Sequence, residues 1–230
     1  MAMIDFHILC QSLLYFAAFV AGFAISIPVG VNRINFQGQC ILYADFKWNN
    51  ATSFVMTGSS SVNCNFPIYF SVFGLIFYGL GTGLYNLYAV IRSMKDPEIG
   101  SQMWVMPFIL VNTLLAFTTM IVACVLSVGF LQFCEGLTKK TVRSCFSQEN
   151  KMWHNKAKDK MFDSGPYYKL ITVAQVAAWT CVLVFILQIV LSVLRFIRNR
   201  RRRSAQMFNE AQKDHTSSDT SRIAELEPTA

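Results

Sequence analysis

Charge is what this sequence has least of. Asp, Glu, Lys and Arg make up 14% of its 230 residues, where a soluble domain carries nearer a quarter. The deficit is concentrated. Residues 8–31, 66–91, 104–133 and 170–194 contain no Asp, Glu, Lys or Arg. Their absence argues against a proton-coupled carrier or pump, which needs an ionisable group inside the membrane. Histidine is scarce too: His7, His154 and His215 are far apart and suggest no metal cluster. There is no GxSxG, no HExxH and no phosphate-cradling glycine loop. The expectation is a protein that is not an enzyme and takes no cofactor. The first seven residues lack Lys and Arg, and the apolar run behind them is long. A cleaved signal peptide needs a basic start and a short apolar stretch, so a retained first span is expected.

Apolar residues fill the space that charge vacates, at 53% of the chain. A helix rises 1.5 Å per residue, so about 20 apolar residues cross a hydrocarbon core of about 30 Å. All four windows meet this, and membrane β-strands would be shorter and would alternate. The expected fold is all-α: a polytopic four-transmembrane-helix bundle over residues 1–194. Residues 195–230 are expected as a tail, basic and then disordered.

Counting basic residues does not orient the chain. Loops 32–65 and 134–169 together hold ten Lys and Arg, and loop 92–103 with the tail holds ten more. Six arginines, Arg195, Arg198, Arg200, Arg201, Arg202 and Arg203, follow the fourth span at once, where the positive-inside rule weighs most. Cysteine placement points the same way. Cys40 and Cys64 fall in the first loop, Cys134 and Cys145 in the third, and none in the second loop or the tail. Disulfides persist in oxidising compartments. Asn50-Ala51-Thr52 adds an N-glycosylation sequon in the first loop. Loops one and three are therefore expected outside or in the lumen, and both termini in the cytoplasm, on a multi-pass protein of the secretory pathway or plasma membrane. Pairing within each loop, Cys40 with Cys64 and Cys134 with Cys145, needs the least assumption. Cross-loop bridges are the alternative. Either way the outer loops would form a stapled cap. Met152, Trp153, Met161 and Phe162 in loop three suit an amphipathic segment on the leaflet or a solvated loop with scattered apolar residues.

Each span carries small or weakly polar residues at helical spacing. These are Gln11, Tyr15, Ala18, Gly22 and Ser26; then Gly79, Gly83 and Asn86; then Asn112, Ala116, Thr119, Ala123 and Ser127; then Ala174, Ala178, Cys181, Gln188 and Ser192. Small residues let helices approach closely and amides bond across the contact. Gly79 and Gly83 form a GxxxG. Packing inside one bundle is the preferred reading. The sharper one is a homodimer seam, or a polar pathway lined by Asn86, Asn112 and Gln175.

The arginine arm exceeds what a topogenic stop needs, and suits anionic lipid head groups. Held against a bilayer, it has no nucleic-acid role. Thr216, Ser217, Ser218, Thr220 and Ser221 follow; phosphorylation there would oppose the attraction.

Several short motifs fall in the order of a known family. They are Phe36-Gln-Gly38-Gln-Cys40-Ile-Leu42-Tyr43, then Cys64, then Ala123-Cys-Val-Leu-Ser-Val-Gly129 running into Phe133-Cys134, then Ser144-Cys145, and Tyr167-Tyr-Lys-Leu-Ile-Thr-Val-Ala-Gln175-Val-Ala-Ala-Trp179. With these the chain resembles the transmembrane protein 179 family, its B-type branch most closely, over roughly residues 1 to 200 without the tail. The resemblance implies four spans and cytoplasmic ends, and supplies no activity. A claudin-like chain is expected to carry Gly-Leu-Trp before its paired cysteines, and loop one has only Trp48. A tetraspanin should carry Cys-Cys-Gly in its second outer loop, which loop three lacks. The functional expectation is an accessory or scaffolding subunit of a membrane complex, with a membrane-protein partner or a second copy. The alternative is a small channel or transporter subunit working as an oligomer.

Overall fold

The computed structural model describes residues 6–48, 54–93, 106–139, 144–155 and 160–225. Four long helical segments carry the chain. The first is α1, Phe6–Asn35. The second is composite: α2, Val62–Phe70, runs through a wide π turn, Ser71–Phe77, into α3, Tyr78–Ser93. The third is α4, Met106–Thr138, and the fourth is α5, Tyr167–Glu225. The stretches His7–Asn35, Val62–Ser93, Met106–Thr138 and Tyr167–Arg201 are each long and apolar enough to cross a membrane. They contain the charge-free windows, apart from residues 104–105, which lie outside the described residues, and extend beyond them.

The change of ladder begins at Ser71, whose N–H reaches both Ile68 O and Pro67 O, and the helix widens after it. Gly22 of α1 faces this wide turn. A Cβ there would lie 2.7 Å from Ile76 Cγ1 and 3.1 Å from the Ser71 carbonyl oxygen. The missing side chain lets the first two spans approach.

α1 packs on both the second span and α5, and α5 packs on α4. The second span and α4 meet through long side chains. Tyr85 stacks on Phe108 at 5.8 Å between ring centroids, and Tyr78 OH donates to Asn112 Oδ1 at 3.2 Å.

The four-helix bundle stands as expected, and the outer loops add two β-hairpins to it. β1, Cys40–Trp48, pairs antiparallel with β2, Phe54–Ser59, with Trp48 opposite Phe54. β3, Met152–Asn155, pairs antiparallel with β4, Lys160–Asp163. Ile41, Tyr43, Phe46, Phe54 and Val55 are residue types that suit a half-buried pleated surface. The tail departs from the expected disorder: the backbone of α5 stays helical through the arginine arm to Glu225. Between Arg195 and Glu225 there is no Pro or Gly, and Arg, a good helix former, is the commonest residue. Asn50 and most of the second loop lie outside the described residues.

Candidate functional site

Both hairpins gather at one end of the bundle, and the turn that ends α1 starts the cap. Gln37 and Gly38 adopt φ of 55° and 84°, the left-handed conformation that closes a helix C-terminus. Gly38 N donates to Arg33 O at 2.8 Å. The chain reverses and enters β1 at Cys40. Cys40 is bonded to Cys64, with Cα atoms 5.7 Å apart, and Cys134 to Cys145, with Cα atoms 5.3 Å apart. The bridges are the within-loop pair, so the cross-loop alternative falls. Cys64 and Cys134 belong to α2 and α4 rather than to the loops, so each bridge ties a loop straight to a membrane helix. The Arg33 guanidinium donates to Asn65 Oδ1 beside the first bridge.

β1 lies along α4 because α4 makes room for it. A Cβ on Gly129 would sit 2.7 Å from Tyr43 Cε2 and 3.0 Å from Leu42 Cβ. A Cβ on Gly136, two helical turns on, would sit 2.7 Å from Phe46 Cδ2. Ile41, Leu42 and Ala44 are buried by the contact.

Five aromatic rings fasten the cap from beneath: Phe36, Phe46, Phe133, Trp153 and Tyr167. Phe133 stands in the middle, 5.3 Å from Phe46, 5.5 Å from Tyr167, 6.3 Å from Phe36 and 6.4 Å from Trp153 between ring centroids. These rings come from the end of α1, β1, α4, β3 and the start of α5, so one cluster joins three of the spans to one strand of each hairpin. Tyr167 OH donates to Cys145 O at 2.5 Å and links the cluster to the second bridge. Trp153 is buried here, on neither the leaflet nor the solvent. Its large apolar ring is better covered by four other rings than left at the surface. Met152 is exposed, and the side chains of Met161 and Phe162 lie outside the described residues. None of the five rings stands out in the sequence. Apart from Phe46 and Trp153 they lie in the family-like motifs, a signal of place and not of contact.

The stripe residues turn inward largely as expected. Gln11, Tyr15, Ala18, Ser26, Gly79, Gly83, Asn86, Asn112, Thr119, Ala123, Ala174, Ala178, Cys181, Gln188 and Ser192 are buried. Gly79 and Gly83 are used inside the chain: a Cβ on Gly79 would lie 3.0 Å from Tyr15 O, and Ser12 Oγ donates to Gly83 O at 3.0 Å. The GxxxG is thus a seam between the first two spans and not a homodimer face. Asn112 Nδ2 donates to Tyr15 OH at 2.7 Å. Asn86 Nδ2 donates to Thr82 O of its own helix at 2.8 Å, and Gln175 Nε2 to Leu126 O at 3.1 Å. Asn112 and Leu126 lie about 21 Å apart along α4. Gln175 therefore stands well apart from Asn112 in depth.

A second polar knot ties α1 to α5 at the end away from the cap. Gln11 Nε2 donates to Ser192 Oγ at 3.0 Å, and Gln188 Nε2 to Gln11 O at 2.8 Å. Arg195 Nη1 donates to Gln11 Oε1 at 3.3 Å. Arg195 is thus turned into the bundle rather than toward head groups. Arg200 and Arg201 are exposed; the side chains of Arg202 and Arg203 lie outside the described residues.

Four membrane-crossing helices under a disulfide-stapled β cap define a four-span membrane protein with one structured face. The Transmembrane protein 179/179B Claudin domain matches residues 7–223, and the chain belongs to that family. Transmembrane protein 179B of Danio rerio is 24% identical over 192 residues, covering 82% of this chain and 83% of that protein. No solved structure matches the chain. Two expectations change. The family is one of claudin domains, so the missing Gly-Leu-Trp does not set the chain apart from claudin-like proteins. The match also runs into the tail, which takes part in the likeness after all.

Proposed function

We propose that this chain is a non-enzymatic accessory or scaffolding subunit of a membrane complex. Its cap faces the lumen or the outside and its termini face the cytoplasm. The observation that carries the reading is the second span. Only 22% of its most apolar window is buried, against 33–39% for the other three. Tyr69, Phe73, Phe77 and Tyr88 project from it, each at least 60% exposed. Phe73 and Phe77 stack at 5.9 Å, which gives an ordered aromatic ridge on which a partner helix can pack. Cysteine placement and the Asn50 sequon support the orientation, and Asn50 is then a glycosylation site. Arg198 and Arg200 to Arg203 supply the cytoplasmic arm that meets anionic lipid. Affinity purification of the full chain from native membranes in mild detergent, with mass spectrometry of what co-purifies, tests the reading. A stoichiometric membrane partner lost from the Phe73→Ala/Phe77→Ala variant is expected. Reconstituted protein that by itself carries current or solute flux would overturn it in favour of a channel or transporter subunit.

A further inference from the structure

Directly below the Cys134–Cys145 bridge, between α4 and α5, lies an open groove of about 520 Å³. Phe130, Leu131, Phe146 and Tyr168 wall it, and Ser127 and Gln175 form its deeper polar end. Trp179 Nε1 donates to Ser127 Oγ at 3.2 Å and closes the seam between the two helices there. Leu131 is 59% exposed and Trp179 46%, so the groove opens sideways. Both helices lie in membrane-crossing stretches at this level, and what faces the opening is lipid rather than water.

The polar end has hydrogen-bonding capacity left over. Gln175 gives one amide hydrogen to Leu126 O. A side-chain amide carries two hydrogens and a carbonyl, and no other bond of Gln175 occurs among the described residues. Ser127 Oγ accepts from Trp179 and keeps its own hydrogen to give. In hydrocarbon such groups are costly to leave without partners. Among the described residues no Asp, Glu, Lys or Arg lines the groove, and the partner that suits its polar end is a neutral acceptor. At the rim the charge changes. The Lys169 ammonium sits 5.5 Å from the centroid of the Phe146 ring, which walls the groove. Lys169 and Gln175 are six residues apart on α5, about 9 Å along the axis. A cation above and neutral donors below repeat in order the phosphate and the ester carbonyl of a phospholipid.

We propose that this groove binds one diacyl phospholipid from the leaflet on the capped side. Its phosphate meets Lys169, and an ester carbonyl accepts a hydrogen bond from Gln175 Nε2, beside Ser127. Its acyl chains run on past Trp179. The site is independent of any protein partner on the second span.

The test is competitive retention on the full chain. The purified protein is equilibrated with equal amounts of dioleoyl phosphatidylcholine and its diether analogue, which lacks ester carbonyls, and bound lipid is counted by native mass spectrometry. The diester is expected to be retained about fivefold over the diether, the worth of one hydrogen bond. Gln175→Leu is expected to bring the ratio to about one, with both disulfides still formed. Leu131→Trp, which fills the mouth from its exposed side, is expected to lose both lipids. Equal retention of the two lipids by the unaltered chain would overturn the proposal. So would an unchanged ratio in Gln175→Leu together with unchanged binding in Leu131→Trp.

Discussion

The ring of Tyr43 occupies the space where Gly129 has no side chain. A Cβ on Gly129 would stand 2.7 Å from Tyr43 Cε2, inside any real contact distance. The first hairpin can lie on α4 only because of that gap. Gly129→Val should lift β1 from the helix at an overpacking cost of about 1–3 kcal/mol. Thermal unfolding in detergent reads it. Gly81→Ala is the control, since a Cβ at Gly81 meets nothing within 4 Å. It should be neutral or slightly stabilising, as expected when glycine is removed from a helix. Equal midpoints for the two variants would contradict the seating of β1.

Phe133 meets five other rings, Phe130 among them, and is fully buried. Phe133→Ala should cost about 3–5 kcal/mol, the usual figure for emptying a large aromatic site. In a double-mutant cycle, Phe46→Ala and Phe133→Ala should couple by about 0.5–1.5 kcal/mol. Strict additivity would mean that the cap and α4 do not share these rings.

How much of this could be read beforehand follows from what each feature depends on. The four spans were legible because absence of charge over a membrane's thickness is a property of the sequence itself. The bridges were legible as residues, and their within-loop pairing as the simplest choice. The hairpins were not. Loop one shows its cysteines plainly, while Ile41, Tyr43 and Phe46 form a strand that is secured only by lying along α4. The aromatic cluster was hidden because Phe36, Phe133 and Tyr167 come together only once β1 and β3 fold back over the helix ends. Gln175 is visibly polar in the sequence, but its place beside Ser127 and apart from Asn112 depends on which helices are neighbours. Arg195 looked like the first residue of the arm until Gln11 of another helix supplied its partner.

The two bridges close loops of different size, 24 and 11 residues of separation. In the chain-entropy account a bridge contributes roughly 2–4 kcal/mol and more for a longer loop. Cys40→Ser/Cys64→Ser should therefore destabilise more than Cys134→Ser/Cys145→Ser, by about 0.7 kcal/mol from loop length alone. Chemical unfolding under non-reducing conditions measures both. The reverse order would show that the second bridge owes its effect to Tyr167 and the ring cluster.

Asn112 bonds two tyrosines at once, Tyr15 and Tyr78, from two other spans. Asn112→Leu removes both bonds and leaves two hydroxyls in an apolar interior. A loss of about 1–2 kcal/mol is expected, the range for polar contacts between membrane helices. Tyr78→Phe should cost less, because Asn112 keeps its bond to Tyr15. Equal losses would mean that the 3.2 Å contact from Tyr78 carries the pair.

The account rests above all on one arrangement: four crossings, with both stapled hairpins on one side and both chain ends on the other. Glycosylation mapping tests it most directly. Asn50 is kept or removed, and single acceptor sequons are placed within residues 140–143, within 94–105 and after Glu225. Each variant is expressed in cells and its size compared before and after endoglycosidase. The account predicts sugar at Asn50 and in 140–143, and none in 94–105 or beyond 225. Sugar in either of the last two, or on only one of the two hairpin loops, would contradict it.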